Sequence, residues 1–260
     1  MRLALGISYN GQAYQGWQSQ LSRQTVQDQL EKALSRFAAQ RISTVCAGRT
    51  DAGVHGLMQV IHFDTPLTRN PASWVRGSNA YLPRDIAVQW AQPVPAEFHC
   101  RASALSRRYA YLLFESAVRP SVDAGRVGWV FQPLDLLAMQ QAATQLIGEH
   151  DFSSFRAAAC QALSPIKILE RVDISRRGAY WRFEFEANAF LHHMIRNLMG
   201  CLIAVGQHKR PPEWLQAVLL ARNRDAAAPT FSPNGLYFVG PRYAAHWGLP
   251  DRSPLYDGLP

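Results

Sequence analysis

Hydrophobic and polar residues alternate near the start of the chain. Residues 3–9 place large apolar side chains at every second position, which predicts a strand with one buried face. Thr25, followed by Asp28 three positions later, is typical of a helix N-cap, and residues 26–37 carry apolar side chains at helical spacing. The chain is therefore predicted to begin with a strand, a loop and a helix.

The rest of the pattern predicts that strands mostly follow strands. Further strands are predicted over residues 43–46, 55–65, 85–92, 107–115, 166–175, 180–190 and 234–243. Further helices are predicted over residues 71–80, 134–148, 190–206 and 211–223, the first capped by Asn70 and the second ended by Gly148. The two strands around the turn RRGA are expected to form a hairpin.

This order of elements predicts an α+β fold with mainly antiparallel sheets. It also predicts two similar halves, an N-terminal α+β half over residues 1–105 and a C-terminal α+β half over residues 106–245. Residues 246–260 are rich in Pro and Gly, and we expect a loosely ordered tail there.

The composition is that of a folded protein. Hydrophobic residues make up 48% of the chain and charged residues 18%, which excludes a disordered polyelectrolyte. The four cysteines lie far apart, without the paired spacing of a zinc site or a redox motif, and we expect reduced thiols. The chain shows neither a signal peptide nor an apolar run long enough for a membrane span, so we expect a cytoplasmic protein that does not enter a membrane.

The net charge of +8 favours a polyanionic partner such as a nucleic acid. Only three of the 27 cationic residues are lysines, and arginine both matches phosphate geometry and stacks on bases. An Arg- and Ala-rich composition is also expected from GC-rich DNA, so charge alone names no function.

One stretch places a carboxylate in an unusual setting, the segment GRTDAGVHG at residues 48–56. Its three glycines allow tight backbone turns and close approach of a ligand. Asp51 follows Arg49 by two positions, and a nearby guanidinium should keep the carboxylate ionised, as a nucleophile or a base requires. A tight turn between strands, with an ion pair in solvent, would have the same local sequence.

The full string resembles the signature of the tRNA pseudouridine synthase A (TruA) family. Other landmarks of that family occur in the same order between residue 3 and about residue 243. They are YNGQAYQGWQSQ (9–20), TVQDQLEKAL (25–34), FHCRASALSRRYAY (98–111), GEHDFSSF (148–155), FLHHMIRNLMGCLIAVG (190–206) and PNGLYFVG (233–240).

The resemblance implies the pseudouridine synthase fold, in which two halves meet at a central catalytic cleft. It implies isomerisation of uridine to pseudouridine at positions 38, 39 and 40 of the tRNA anticodon stem-loop. Asp51 is then the catalytic carboxylate, either adding to the sugar or removing its C2′ proton. Arg49 is expected to hold the flipped nucleotide or fill its place, Tyr109 to stack on the uracil, and Arg196 to pair with Asp51. From the pattern alone, Tyr109 is an ordinary strand aromatic and Arg196 a mid-helix cation that reaches solvent.

The resemblance further implies a homodimer with one tRNA lying across both subunits. We expect no cofactor and no metal, because His192 and His193 would point about 100° apart on a helix. The loop over residues 9–20, with Trp17, suits RNA stacking, although it could equally fold over the core. Arg23, Arg101, Arg107 and Arg108 are either phosphate contacts or solvated surface.

Three positions depart from the family pattern. Gly56 stands where relatives often carry Ala, and Phe231 and Asn234 stand where smaller residues or His are expected.

Two rival functions remain open on the sequence: a tRNA-binding chaperone without catalysis, and a glycosidase-type hydrolase, which would need a second carboxylate.

Overall fold

The computed structural model describes residues 1–250 and shows an α+β fold with mostly antiparallel strands, which confirms the predicted fold class. The described residues contain ten strands: β1 (Arg2–Tyr9), β2 (Val45–Cys46), β3 (His55–Asp64), β4 (Ile86–Val94), β5 (Ala104–Glu115), β6 (Gly128–Val130), β7 (Gly148–Asp151), β8 (Ile166–Arg177), β9 (Tyr180–Ala187) and β10 (Leu236–Tyr243). They contain five α-helices: α1 (Val26–Ala38), α2 (Pro71–Asn79), α3 (Leu136–Thr144), α4 (Met194–Gly206) and α5 (Trp214–Ala221).

The chain divides into two compact units. The first comprises Met1–Arg107 together with residues 237–250, and the second comprises Arg108–Leu236. The division at residue 105 that the element order suggested stays a prediction. Most of the expected loose tail, from residue 251 onward, lies outside the described residues.

In the first unit the strand order is β4, β1, β3 and β10, with the short β2 beside β3. β1 pairs antiparallel with β3 and β4, whereas β10 runs parallel to β3 through the pairs Tyr237–His55 and Phe238–Gly56. β3 thus lies between β1, the first strand in sequence, and β10, the last strand of the described residues.

Both faces of β1 are buried, so the expectation of a strand with one solvent face is wrong. Leu3 and Leu5 face the cluster that contains the apolar side chains of α1 and α2. Ala4 belongs to a second cluster, which includes Trp90 and Phe98 and has Trp247 packed against it. The small side chains of the supposed solvent face therefore make room for large aromatic rings.

Two helix starts in the first unit follow the predicted caps. The Thr25 side chain accepts a hydrogen bond from the Asp28 N–H at the start of α1. Asn70 accepts from the Ala72 N–H at the start of α2, with Pro71 as the first helical residue. Both helix starts are confirmed.

The second unit is built around the predicted hairpin of β8 and β9. The two strands pair antiparallel up to Arg177 and Tyr180, and Gly178 adopts a positive φ of 62° in the turn. β7 lies beside β8 and β9 beside β5, while β6 runs parallel to β5. The strands β6 and β7 were not predicted from the pattern.

Three predicted helices are clearly shorter than expected, and one of them, predicted over 211–223, spans only Trp214–Ala221. The helix predicted over 134–148 ends at Thr144, and Gly148 begins β7 instead of ending the helix. The helix predicted over 190–206 begins at Met194, because His193 has a left-handed backbone with φ 63° that an α-helix cannot include. Within residues 1–250, no helix combines the length and apolar character that a membrane span requires.

Candidate active site

Asp51 lies on the turn of residues 47–54, which joins β2 to β3 in the first unit. The turn is fixed to β3 at its start, where the Ala47 N–H donates to Val60 O at 2.9 Å and the Gly48 carbonyl accepts from the Gln59 side chain. Within the turn, the Val54 N–H donates to Asp51 O at 3.1 Å. The carboxylate is therefore carried by a closed backbone turn.

A second loop, residues 10–17, packs directly on this turn. The Trp17 N–H donates to Thr50 O at 3.0 Å, and the Gly53 N–H donates to Tyr14 O at 3.3 Å. Gly16 has a φ of 85°, and a Cβ there would lie 2.7 Å from Thr50 O. Glycine at position 16 thus meets both a conformational and a steric requirement next to the candidate carboxylate.

Buried side chains also hold the turn in place. The Tyr9 hydroxyl and Thr50 Oγ1 are 2.8 Å apart and both residues are buried. Burial raises the pKa of Tyr9 well above its ordinary value, so this hydroxyl stays neutral. His55 Nδ1 accepts from the Gly11 N–H at 3.2 Å, and its ring stacks on Tyr237 at 4.6 Å. The residues on both sides of Asp51 are consequently immobilised.

Arginine side chains bring positive charge to the start of the same turn. Arg49 is exposed, and Asp51 is partly buried. Arg101 Nε donates to Cys46 O at 3.3 Å, and Arg107 donates to Ala47 O at 3.4 Å. These two guanidinium groups lie against the backbone that leads into the carboxylate, so they are more than dispersed surface charge. Arg23, by contrast, pairs with Asp28 at the start of α1.

The prediction that Trp17 stacks on RNA is wrong. Its side chain is fully buried and its ring centroid lies 5.6 Å from that of Tyr9, in the core between β1 and α1. The departure at Gly56 also has a structural reason, because a Cβ there would lie 2.3 Å from the Tyr9 ring. An alanine at position 56 would require the Tyr9 ring to move.

Tyr109 lies in β5 in the second unit. Its side chain is 8% exposed, and its ring meets that of Phe190 edge to face with centroids 5.2 Å apart. The contact with the phenyl ring of Phe190 fixes the plane of the Tyr109 ring.

Arg196 lies in the first turn of α4, so the expectation of a mid-helix cation is wrong. It is partly buried, and its Nε donates to the Phe231 carbonyl at 2.9 Å. The N-terminal end of a helix carries a partial positive charge, which adds to that of the guanidinium. This part of α4 therefore favours an anion, as its proposed role requires.

His192 and His193 precede α4 instead of lying on it. Their ring centroids are 4.0 Å apart, so the argument that a helix would hold them about 100° apart does not apply. The left-handed backbone of His193 instead prevents the helix from beginning before Met194.

A polar network beside Arg196 was not predicted from the sequence. Asn197 is fully buried in α4 and bonds to Thr230 and Arg224, which lie far along the chain. The one available signal was an asparagine within an apolar helical pattern, because a buried amide needs hydrogen-bonding partners.

Comparison with known proteins identifies the family of this chain. The profile of the family described as tRNA pseudouridine synthase matches residues 6–101 and 142–244. The tRNA pseudouridine synthase A of Albidiferax ferrireducens is 80% identical over the full length of both chains, and that of Polaromonas naphthalenivorans is 71% identical, also over the full length of both.

Similarity to one solved structure is much weaker. "Crystal Structure of a Cbf5-Nop10-Gar1 Complex" contains a chain 12% identical to this one, with a TM-score of 0.34 over 77% of this chain and 45% of that chain, too low to support any argument. The family profile and the full-length relatives suffice without it. The chain belongs to the tRNA pseudouridine synthase A (TruA) family, as its ordered motifs predicted, and it is an isomerase.

Proposed function

We propose that this protein converts uridine to pseudouridine at positions 38, 39 and 40 of the tRNA anticodon stem-loop, with Asp51 as the catalytic carboxylate. The observation that carries the proposal is the setting of Asp51. It lies partly buried on a glycine-rich turn that backbone hydrogen bonds hold in place. A chain with a net charge of +8 thus holds the Asp51 carboxylate in a defined position.

The neighbouring arginines explain how a carboxylate can work on a polyanion. An ionised Asp51 repels RNA phosphates, and the guanidinium groups of Arg49, Arg101 and Arg107 offset that repulsion. Arg101 and Arg107 are anchored to the carbonyls at the start of the turn, so their charges stay close to it. Binding to tRNA should weaken steeply with salt, since several phosphates are contacted.

The reaction needs no external reagent. The N-glycosidic bond between N1 and C1′ of uridine breaks, the base turns within the site, and a bond forms between C5 and C1′. The C5 proton is then lost and N1 gains a proton, so the product is an isomer of the substrate. Asp51 either adds to C1′ or removes the C2′ proton, and both routes need an ionised carboxylate at the sugar. The target nucleotide must first leave the stem, at a cost of about a few kcal/mol.

Three further residues bind the substrate in this proposal. Tyr109 stacks on the extruded uracil, a contact worth roughly 1–3 kcal/mol. Arg49 holds the flipped nucleotide or fills the space that it leaves. Arg196, as the family resemblance implies, forms an ion pair with Asp51.

The protein acts in the cytoplasm as a homodimer, with one tRNA lying across both subunits. In such an arrangement the RNA is recognised by its shape more than by its sequence. Sedimentation at micromolar concentration should show a dimer, and a monomer at every concentration would contradict this part of the proposal.

Release of tritium from tRNA labelled at C5 of uridine tests the catalytic role. Wild-type protein should release label, whereas Asp51→Asn should release none yet still bind tRNA in a filter assay. Asp64→Asn is the matched control, because Asp64 is an exposed carboxylate of the same unit, paired with Arg2, and its loss should leave turnover unchanged.

Chemical mapping of pseudouridine in the product identifies the modified positions. Labelled residues should be 38, 39 and 40. Wild-type release no greater than that of Asp51→Asn would refute the isomerase role, and free uracil among the products would indicate hydrolysis. Normal modification in cells that carry only Asp51→Asn would indicate a non-catalytic chaperone.

A further inference from the structure

A short segment, residues 227–232, lies along helix α4 in the second unit. The Ala228 N–H donates to Cys201 Sγ at 3.3 Å. The next residue, Pro229, faces Gly200, where a Cβ would lie 2.3 Å from the Pro229 carbonyl oxygen. The segment therefore approaches α4 more closely than any residue other than glycine at position 200 would allow.

The following two residues of the segment contact the first turn of α4. Thr230 Oγ1 donates to Asn197 Oδ1 at 2.7 Å. The Phe231 N–H donates to Arg196 O at 3.1 Å, and the Phe231 carbonyl accepts from Arg196 Nε at 2.9 Å. Residues later in the segment thus contact residues nearer the start of α4, and the Phe231 carbonyl contacts the Arg196 guanidinium.

Arg224 closes a network around these contacts. One of its terminal nitrogens donates to Asn197 Oδ1 at 3.2 Å and to Thr230 Oγ1 at 3.0 Å, and the other donates to Ala228 O at 3.0 Å. Asn197 is fully buried, and its Nδ2 donates to Phe155 O at 2.8 Å. The oxygen and the nitrogen of the buried Asn197 amide therefore both have hydrogen-bonding partners.

The segment is also fixed on the far side of Phe231. The buried Tyr111 hydroxyl lies 3.0 Å from Ser232 O and 2.6 Å from Asn234 O. The Phe231 carbonyl is thus held between two anchored stretches of backbone. This explains how Phe231 and Asn234, two departures from the family pattern, are accommodated: their backbone groups make the contacts.

A carbonyl bonded to Nε fixes the plane of a guanidinium group, and the plane sets the directions in which Nη1 and Nη2 donate. An arginine side chain without such a bond samples several rotamers. Any displacement of the Phe231 carbonyl would therefore change where the Arg196 donors point, even though the charge stays the same.

We infer that Asn197, Thr230 and Arg224, here called the 230 network, position the guanidinium of Arg196 for its role in the reaction by holding the Phe231 carbonyl. This inference rests on the proposed function of Arg196. Thr230 and Arg224 are positioning residues: they act through Arg196 and touch neither the base nor the sugar.

A double-mutant cycle on the tritium-release reaction tests the inference. Thr230→Val removes the hydroxyl that bonds to Asn197, and kcat should fall about fivefold with KM unchanged. Thr230→Ser keeps the hydroxyl and should restore kcat. Thr144→Val is the matched control, because it removes the hydroxyl of an exposed residue of the same unit, which donates to Gln141 O at 2.7 Å within the last turn of α3.

The second arm of the cycle uses Arg196→Lys, which keeps the charge but loses the Nε donor. If the 230 network acts through Arg196, Thr230→Val should have no further effect on kcat in this background. Equal losses in both backgrounds, or wild-type kcat in Thr230→Val, would overturn the inference.

A readout independent of catalysis separates this inference from the proposed function. The Arg196 Nε–H resonance, assigned by its absence in Arg196→Lys, should exchange faster with solvent in Thr230→Val than in wild type or Thr144→Val. Unchanged exchange would refute positioning even in an active enzyme, whereas faster exchange in a protein that releases no tritium would refute only the proposed function.

Discussion

The turn that carries Asp51 and the segment that holds Arg196 are fixed by different kinds of hydrogen bond. The turn is held mainly by backbone groups, such as the bond from the Trp17 N–H to Thr50 O. The segment is held mainly by the polar side chains of the 230 network. Removing a polar side-chain atom should therefore disturb the segment more than the turn.

Acid should produce the largest difference between the two regions. β3 carries the end of the Asp51 turn and also His62, whose buried ring contacts Cys100. Burial, together with the nearby charges of His99 and Arg2, lowers the pKa of His62 from 6.5 to about 4. The unfolded chain binds a proton to His62 at a higher pH than the folded chain does. The stability that neutral His62 contributes is therefore present above pH ~6.5 and is lost as the pH falls from ~6.5 to ~4.

Urea unfolding at about pH 7 and about pH 5, read by pulsed hydrogen exchange, checks this expectation. Peptides of β3 should lose more protection at the lower pH than peptides of the segment over residues 227–232. His62→Gln should reduce the difference, and His246→Gln, at an exposed position of the same unit, should not. An undiminished difference in His62→Gln would show that other groups cause it.

Gly16→Ala should have the next largest effect, confined to the Asp51 turn. The substitution places a Cβ 2.7 Å from Thr50 O and requires alanine to adopt a φ of 85°. We expect a loss of about 2 kcal/mol in the free energy of unfolding and a lower kcat. Urea denaturation and the tritium assay measure the two quantities.

Gly178→Ala is the matched control for that substitution. Gly178 has a φ of 62°, but a Cβ there would meet nothing within 4 Å. It should lose about 1 kcal/mol from backbone strain alone, with kcat unchanged. Equal losses in the two variants would mean that contact between Gly16 and the turn is unimportant.

A pair of Tyr→Phe substitutions should give the smallest effects and compares the two regions directly. Tyr111→Phe removes the single hydroxyl hydrogen that Ser232 O and Asn234 O share, and should cost about 1.5 kcal/mol. Tyr9→Phe leaves one buried hydroxyl, that of Thr50, and should cost about 1 kcal/mol. Thermal unfolding of the two variants tests the order, and a larger loss in Tyr9→Phe would reverse it.

Local signals in the sequence predicted those elements whose ends are encoded nearby. Thr25 with Asp28, and Asn70 with Pro71, define helix starts within three residues, and the RRGA turn defines a hairpin. The start of α4 was missed because it depends on His193 in a left-handed conformation that the residue type does not specify. The two buried faces of β1 were missed because the covering residues, such as Trp247, are distant in sequence.

The same distinction applies to the candidate site. Asp51 stands out in a contiguous motif, and the family and its reaction were correctly predicted from that motif and its companions. The roles of Asp51, Arg49, Tyr109 and Arg196 remain proposals. The 230 network was not predicted, because Asn197 and Thr230 are 33 positions apart and hydrogen-bonding pairs at that separation leave no periodic pattern.

The parallel pairing of β10 with β3 has a consequence for synthesis on the ribosome. Every residue of the second unit is translated before Tyr237 can reach His55. The nascent first unit therefore lacks a partner for the first residues of β3, on the edge that β2 covers only near Ile61 and His62, while roughly half of the polypeptide emerges. An uncovered strand edge invites pairing with other chains. A stop codon shortly before β10 would leave that edge permanently exposed, so such truncated products should aggregate even though the Asp51 motif is intact.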